Sequence, residues 1–103
     1  MGMDESPLQS RVLEAAQTHL DSLPGNEYAR FTAALRALCT HNAEAVHTKK
    51  LRGPIRELII GDHRVTYFKM GRTLYFVRGF RKNTQKTPSA EIEYAEKMYA
   101  LLQ

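Results

Sequence analysis

Basic side chains that could bind phosphate dominate the middle of this 103-residue sequence. Residues 49–86 hold eleven lysines and arginines against two acidic residues, whereas the segments before and after them hold more acids than bases. The densest run is residues 81–87, Arg-Lys-Asn-Thr-Gln-Lys-Thr, with three cations and no carboxylate. A field of this kind attracts polyanions such as nucleic acids. A solvated basic face would have the same composition, so charge alone leaves both interpretations open.

One arginine stands where its charge must be compensated. Gly61-Asp62 predicts a tight hairpin turn that places Ile59 opposite Arg64, with Glu57 one diagonal step away. A charge in the middle of a small sheet is costly to bury unless it is paired. We therefore expect Arg64 to pair with Glu57 or to face a ligand, and the two roles are compatible.

Other kinds of chemical site have little support in the sequence. The single cysteine, Cys39, excludes an internal disulfide and a cysteine-based metal cluster. His63 is expected at a turn on a helix-packed face, in a structural role, and the other three histidines are scattered. Neither a metal-ligand spacing nor a glycine-rich phosphate-binding motif is present. We predict no metal and no cofactor.

The length and composition of the chain predict one domain that covers residues 1–103. No apolar run approaches the roughly 20 residues that span a bilayer. The first residues also lack the pattern of a secretory signal. We expect a soluble cytoplasmic protein with no membrane partner.

Helices near both ends of the chain, and strands between them, must position the candidate residues. Apolar residues at helical spacing predict one helix from the Ser6-Pro7 start to Leu23 and a second from Asn26 to near His41. Residues 43–53 are predicted to be a basic connection. Strands are predicted at 55–60, 63–69 and 72–78, followed by a helix after Pro88. The predicted fold is α+β, with two N-terminal helices, a small three-stranded or four-stranded antiparallel sheet, and a C-terminal helix.

One face of the predicted sheet is apolar and should pack on the helices. Its residues are Leu58, Ile60, Val65, Tyr67, Leu74 and Phe76. If the second turn falls at Met70-Gly71, the pairs across it are Val65 with Phe76 and Tyr67 with Leu74.

The opposite face mixes apolar and polar residues. Its residues are Ile55, Glu57, Ile59, Arg64, Thr66, Phe68, Thr73, Tyr75 and Val77. The aromatic rings of Phe68 and Tyr75 could stack on bases, or they could complete an apolar patch beneath a protein partner. The sequence favours neither alternative.

Four segments together match the pattern of a known family. They are residues 49–58 (Lys-Lys-Leu-Arg-Gly-Pro-Ile-Arg-Glu-Leu), 61–68 (Gly-Asp-His-Arg-Val-Thr-Tyr-Phe), 71–73 (Gly-Arg-Thr) and 79–88 (Gly-Phe-Arg-Lys-Asn-Thr-Gln-Lys-Thr-Pro). Over roughly residues 21–97 the chain resembles the RelE/ParE toxin superfamily, most of all its phage-derived, HigB-like branch. The last segment is the most specific, because it is long and chemically unusual.

This resemblance implies a toxin of a type II toxin–antitoxin system. The implied activity is that of a ribosome-dependent, metal-independent mRNA endoribonuclease, a hydrolase that binds mRNA on the ribosome. The implied partner is a helix-turn-helix antitoxin protein that masks the active surface. The implied fold is a small antiparallel sheet packed against helices.

The functional positions of the family carry over to this sequence one by one. The implied catalytic residues are Arg64, Arg81, Lys82 and Lys86. The implied RNA-binding residues are Lys49, Lys50, Arg56, Tyr75 and Gln85, with Glu57 in support. Cleavage requires that the 2′-hydroxyl lose a proton, that the phosphorane charge be stabilised and that the 5′-oxygen be protonated. Arginine supplies a bidentate phosphate clamp, and lysine can stabilise charge or exchange a proton.

Departures from the family pattern leave other functions open. Ile59 stands where the branch has an arginine, and Asn83 replaces a common lysine. Residues 1–6 also show no pattern of the strand with which the family often begins. The missing arginine favours a non-enzymatic, ParE-like gyrase poison. An inactive basic RNA-binding or regulatory domain is the third alternative.

Overall fold

A mixed sheet organises the chain, with two helices on one face and a third on the other. The computed structural model describes residues 6–82 and 86–103. The elements in chain order are β1 (Gln9–Val12), α1 (Glu14–Asp21), α2 (Gly25–Cys39), a 3-10 turn (Ala43–Ala45), β2 (Thr48–Arg52), β3 (Ile55–Ile60), β4 (His63–Met70), β5 (Thr73–Arg81) and α3 (Ser89–Leu102). The strand order is β1-β5-β4-β3-β2, with β1 parallel to β5 and the other neighbours antiparallel. Within the described ranges, no helix is long and apolar enough to cross a membrane.

The segment predicted to begin the first helix is a strand instead. Leu8 and Val12 pack into the core beneath α1 and α2, whereas the next residue, Leu13, packs beneath α3. Side chains of neighbouring residues that lie on opposite sides of a sheet are typical of a strand. A spacing of four residues, as between Leu8 and Val12, fits one face of a strand as well as one face of a helix. The predicted helix start at Ser6 is therefore wrong.

The predicted basic connection at residues 43–53 contains a further strand, β2. This strand lies at an edge of the sheet and pairs with β3, with Thr48 opposite Leu58 and Lys49 opposite Glu57. Most of its side chains are exposed and two are lysines, a composition that protects edge strands from aggregation. So few buried side chains leave no alternating pattern to detect. With β1 and β2, the sheet has five strands and is mixed, so the predicted three-stranded or four-stranded antiparallel sheet is wrong.

The register of the hairpin formed by β3 and β4 is confirmed. Gly61 has a left-handed backbone conformation, with a φ of 58°, at the tight turn between the two strands. Ile59 lies opposite Arg64, and Ile60 lies opposite His63, as predicted. A glycine at that turn fixes the pairing because few other residues adopt this conformation without strain.

The predicted register between β4 and β5 is wrong. Met70 lies opposite Thr73, which places the turn one residue later than predicted. A bulge then shifts the pairing between Thr66 and Tyr67. The observed pairs are Tyr67 with Phe76, not Leu74, and Val65 with Gly79, not Phe76. A bulge adds an extra residue to one strand, which simple alternation cannot anticipate.

Two apolar cores lie on the two faces of the sheet. The larger core joins α1 and α2 to the predicted apolar face and includes Leu20, Phe31, Leu38, Leu58, Ile60, Val65, Tyr67, Leu74 and Phe76. The smaller core joins α3 to Ile55, Phe68 and Val77, all fully buried. Helix α3 therefore covers part of the face that carries Glu57 and Arg64.

Candidate nucleic-acid interface

A basic cleft lies between the edge strand β2 and the segment that leads into α3. Its volume is about 180 Å³, and its lining residues are Lys49, Lys50, Leu51, Lys86, Thr87 and Ile92. We call it the lysine cleft. Pairing with β3 holds Lys49 and Lys50 in place, while Lys86 and Thr87 immediately precede Pro88 at the start of α3. The fold thus gathers three predicted site lysines from two distant parts of the sequence.

A buried carboxylate lies beside this cleft. Glu57 is fully buried on β3, directly opposite Lys49 of β2. Its Oε1 accepts a hydrogen bond of 2.6 Å from the hydroxyl of Thr87. Its Oε2 lies 3.9 Å from Nε of Arg64, and neither of these two buried atoms has a hydrogen-bond partner within residues 6–82 and 86–103. Glu57 therefore connects the middle of the sheet to the segment that carries Lys86.

Arg64 lies next to Glu57, as the sequence predicted. Its Nη1 donates to the backbone oxygens of Gly61, at 2.7 Å, and His63, at 3.0 Å. The side chain is 15% exposed, so the guanidinium is held mostly inside the protein by its own turn and by Glu57. The predicted pairing with Glu57 is observed, and a contact with a ligand stays a prediction.

Arg81 and Lys82 lie at the end of β5, apart from the lysine cleft. Arg81 pairs with His63, whereas Arg64 pairs with Phe80, so the side chains of Arg81 and Arg64 lie on opposite faces of the sheet. Arg81 is 67% exposed, and its Nη2 lies 3.6 Å from Oδ2 of Asp62. The backbone of Lys82 donates to the oxygen of Asp62. The predicted catalytic residues therefore form two groups rather than one.

Two of the predicted RNA-binding residues lie outside the cleft. Arg56 is on the face packed against α1 and α2, where its Nε donates to the hydroxyl of Tyr67 and its Nη2 to the hydroxyl of Thr48. Tyr75 packs at the margin of the smaller core, with its ring centroid 5.5 Å from that of Phe68. Gln85 lies outside the described residues.

The two aromatic rings considered for base stacking have different surroundings. Phe68 is fully buried, with its ring edge-on to Tyr99 of α3 at 4.9 Å between centroids. Helix α3 of the same chain thus covers Phe68, which leaves it no surface for a base or a separate partner. Tyr75 is partly exposed.

Acidic side chains of α3 neutralise some of the cations and leave others available. Glu96 accepts two hydrogen bonds from Arg52, of 2.8 and 3.0 Å, and these lower the pKa of the Glu96 carboxyl and raise the pKa of Arg52. Glu91 lies 3.3 Å from Nε of Arg78. Lys49 and Lys50 are exposed and form no ion pair within residues 6–82 and 86–103. Lys49 and Lys50 are therefore better placed to meet a polyanion than Arg52 and Arg78.

Two histidines form a pair that the sequence analysis missed. Nε2 of His19, on α1, lies 3.0 Å from Nδ1 of His63, whose Nε2 lies 3.6 Å from Oε1 of Glu27. Burial, and then the charge of the neighbouring His63, lower the pKa of His19. The contact joins residues 44 positions apart, and no local motif signals it. It agrees with the structural role predicted for His63.

Thr87 was also missed as a site residue. The only signal for it was its place before Pro88, since a threonine hydroxyl near a helix start commonly serves the helix backbone. Here that hydroxyl donates a hydrogen bond to Glu57 instead. Among the residues that the structure describes, no group of three or more His, Cys, Asp or Glu side chains is arranged to hold a metal ion.

Comparison with known proteins assigns the family. The family model described as phage derived protein Gp49-like (DUF891) matches residues 18–100. The chain belongs to this Gp49-like family. A search of curated protein sequences gave no significant match.

Solved structures show that the Gp49-like chain has the RelE fold. The toxin–antitoxin complex RelBE2 from Mycobacterium tuberculosis matches at 20% identity with a TM-score of 0.60, over 74% of this chain and 99% of that one. The archaeal RelE–RelB complex from Pyrococcus horikoshii matches at 20% identity with a TM-score of 0.63, over 73% of this chain and 94% of that one. The RelB–RelE complex from Methanococcus jannaschii matches at 15% identity with a TM-score of 0.60, over 81% and 95%. The predicted resemblance is confirmed in two respects: the chain belongs to a phage-derived family, and it has the fold of RelE.

Proposed function

We propose that this Gp49-like protein is the toxin of a type II toxin–antitoxin system and cleaves mRNA on the ribosome without a metal ion. The observation that carries the proposal is the lysine cleft, which is lined by Lys49, Lys50 and Lys86 and lies beside a buried carboxylate. Family membership and the RelE fold support the toxin assignment, because the matching structures are RelE proteins in complex with antitoxins. The site of action would be the cytoplasm.

The chemistry follows from the groups that the cleft presents. Cleavage builds negative charge on the phosphorane, and ammonium groups held around it stabilise that charge. Glu57 is fully buried and cannot reach a substrate hydroxyl. No histidine is among the residues that line the cleft in the described parts of the chain. Proton transfer would therefore fall to its lysines, because an amine can accept or donate a proton.

Arg81 and Lys82 would extend the contact along the RNA rather than touch the reacting phosphate. Arg81 is highly exposed and lies on the other face of the sheet from Arg64. A guanidinium in this position can bind a flanking phosphate in bidentate fashion. Arg64, packed against Glu57, would hold the floor of the site in place.

The proposed partner is a helix-turn-helix antitoxin. An antitoxin that inhibits this toxin would cover the lysine cleft with an acidic segment, because opposite charge is what the exposed Lys49 and Lys50 attract. The RelE proteins in the matching structures are bound to RelB antitoxins, which supports a protein partner of this kind.

One observation favours a second function. Ile59 lies directly opposite Arg64, so the position where the family branch has a cation is apolar. A toxin without that cation could poison DNA gyrase, as ParE-like proteins do, and cut no RNA.

Primer extension on a reporter mRNA, after brief induction without antitoxin, separates these functions. The proposal expects cuts within translated codons that vanish when translation is blocked. A Lys49→Ala, Lys86→Ala double variant should abolish them, while Lys97→Ala, at an exposed lysine on α3 outside the cleft, should not. Intact mRNA in growth-arrested cells would favour the gyrase poison. Intact mRNA in healthy cells would favour an inactive RNA-binding domain.

A further inference from the structure

The burial of Glu57 requires an explanation beyond stability. Removing a carboxylate from water is costly unless hydrogen bonds and charges compensate it. Among the residues that the structure describes, Glu57 has one short hydrogen bond, from Thr87, and an arginine nitrogen at 3.9 Å, while its second oxygen has no hydrogen-bond partner. Buried ion pairs often add no net stability compared with apolar residues of similar volume, and a role that explains such a carboxylate is to specify one arrangement of its neighbours.

The arrangement that Glu57 specifies is the position of residues 86–88, which lead into α3. Thr87 follows Lys86 directly and precedes Pro88, which is the N-cap residue of α3. The hydrogen bond from Thr87 therefore fixes the last residues of this segment to the middle of the sheet. Glu57 is also the direct cross-strand partner of Lys49. Glu57 thus links the two walls of the lysine cleft: it is hydrogen-bonded to Thr87, next to Lys86, and it pairs across the strands with Lys49.

We propose that Thr87 is a positioning residue: its hydrogen bond to Glu57 holds Lys86 across the lysine cleft from Lys49, so that both bind one phosphate of the RNA. This inference rests on the proposed function. Preorganised charges bind and stabilise a phosphate better than charges that must first be ordered. Loss of the Thr87 hydroxyl should therefore weaken RNA binding through Lys86.

Matched substitutions at Thr87 test the hydroxyl. Thr87→Val keeps the shape and removes the donor, and Thr87→Ser keeps the donor. We expect Thr87→Val to weaken binding of a single-stranded RNA oligonucleotide to the purified protein about tenfold, and to reduce the slope of log Kd against log salt concentration by about 0.7, as for one lost phosphate contact. Thr87→Ser should restore both values.

A double-mutant cycle with Lys86 separates positioning from a general structural effect. If Thr87 acts through Lys86, then Thr87→Val should have little further effect in a Lys86→Ala protein. An equal loss of affinity in both backgrounds, or an unchanged salt slope for Thr87→Val, would overturn the inference. Should Thr87→Val fail to fold in a thermal melt, Glu57→Gln takes its place, since it removes the charge that strengthens the same hydrogen bond.

The outcome also distinguishes this inference from the proposed function. A wild-type protein that binds RNA but cuts none would refute the nuclease activity. The double-mutant cycle would still measure the role of Thr87 in RNA binding. A wild-type protein that arrests growth without binding RNA would refute the RNA target, and the same four variants scored for growth arrest would decide the role of Thr87. Absence of both RNA binding and growth arrest would overturn both.

Discussion

At the scale of single residues, the pair of His19 and His63 shows how contacts within the fold set protonation. The two rings are 3.0 Å apart between nitrogens, and Gly79 makes room for one of them, because a Cβ there would lie 2.7 Å from Cδ2 of His19. Two imidazolium ions cannot share so short a contact without repulsion, and burial adds to the cost of charging His19.

This pair predicts that the protein loses stability in mild acid. The pKa of His19 in the folded state is below its ordinary value of 6.5, so the unfolded chain binds more protons as the pH falls. The stabilisation is fully present above pH 6.5 and is lost as the pH drops through the lowered pKa. Urea denaturation from pH 7.5 to pH 5 should show this decline.

A matched pair of variants isolates the contribution of His19. His19→Gln should flatten the decline, whereas His47→Gln, at an exposed histidine outside the pair, should leave it unchanged. An equally steep decline in His19→Gln would assign the acid sensitivity to other groups.

At the scale of elements, α3 depends on the aromatic packing beneath it. Phe68 is fully buried between the sheet and α3, with Tyr75 and Tyr99 against its ring. Because Lys86 and Thr87 come just before α3, the position of this helix on the sheet also affects the shape of the lysine cleft.

Phe68→Ala should destabilise the protein strongly. Truncation of a buried phenylalanine costs about 3–5 kcal/mol, because the transfer energy is lost and a cavity remains. Urea denaturation measures this loss. Phe80→Ala serves as the control, since Phe80 is only partly buried and should cost less. Similar losses for the two variants would contradict the packing described for α3.

Elements with a buried face and a glycine turn could be predicted from the sequence, and edge strands could not. The hairpin of β3 and β4 has both, and Gly61 sets its register. β1 and β2 bury few side chains, so neither presents the alternation by which strands are recognised. The cations of the site were predictable as residue types. Their division between the lysine cleft and the end of β5 depends on the bulge and on β2, which no periodicity encodes.

At the scale of the whole molecule, Cys39 reports on the integrity of the larger core. Its side chain is buried among residues of α1, α2 and the sheet, and its backbone oxygen accepts a hydrogen bond from Leu8, just before β1. Burial raises the pKa of the Cys39 thiol, against a smaller opposing effect of a hydrogen bond with Ser10.

We expect the thiol of Cys39 to react slowly in the native protein. A raised pKa keeps the thiol protonated, and only the thiolate is an effective nucleophile. Labelling with a thiol reagent at pH 8 should be orders of magnitude slower than in urea, and Ser10→Ala should leave it slow. Fast labelling of the native protein would show that β1 and the core open readily.

The parallel pairing of β1 with β5 governs the order in which a newly made chain can fold. Gln9 has its partner at Thr73, so β1 must wait, unpaired, while the polypeptide between them is synthesised. The wall of the lysine cleft formed by Lys86 and Thr87 comes later still. The α1 and α2 helices and the β3–β4 hairpin can form from local contacts as they emerge, but the two features that complete the molecule are delayed. A chain truncated before residue 86 would lack its binding surface, so a functional protein appears only late in its own synthesis.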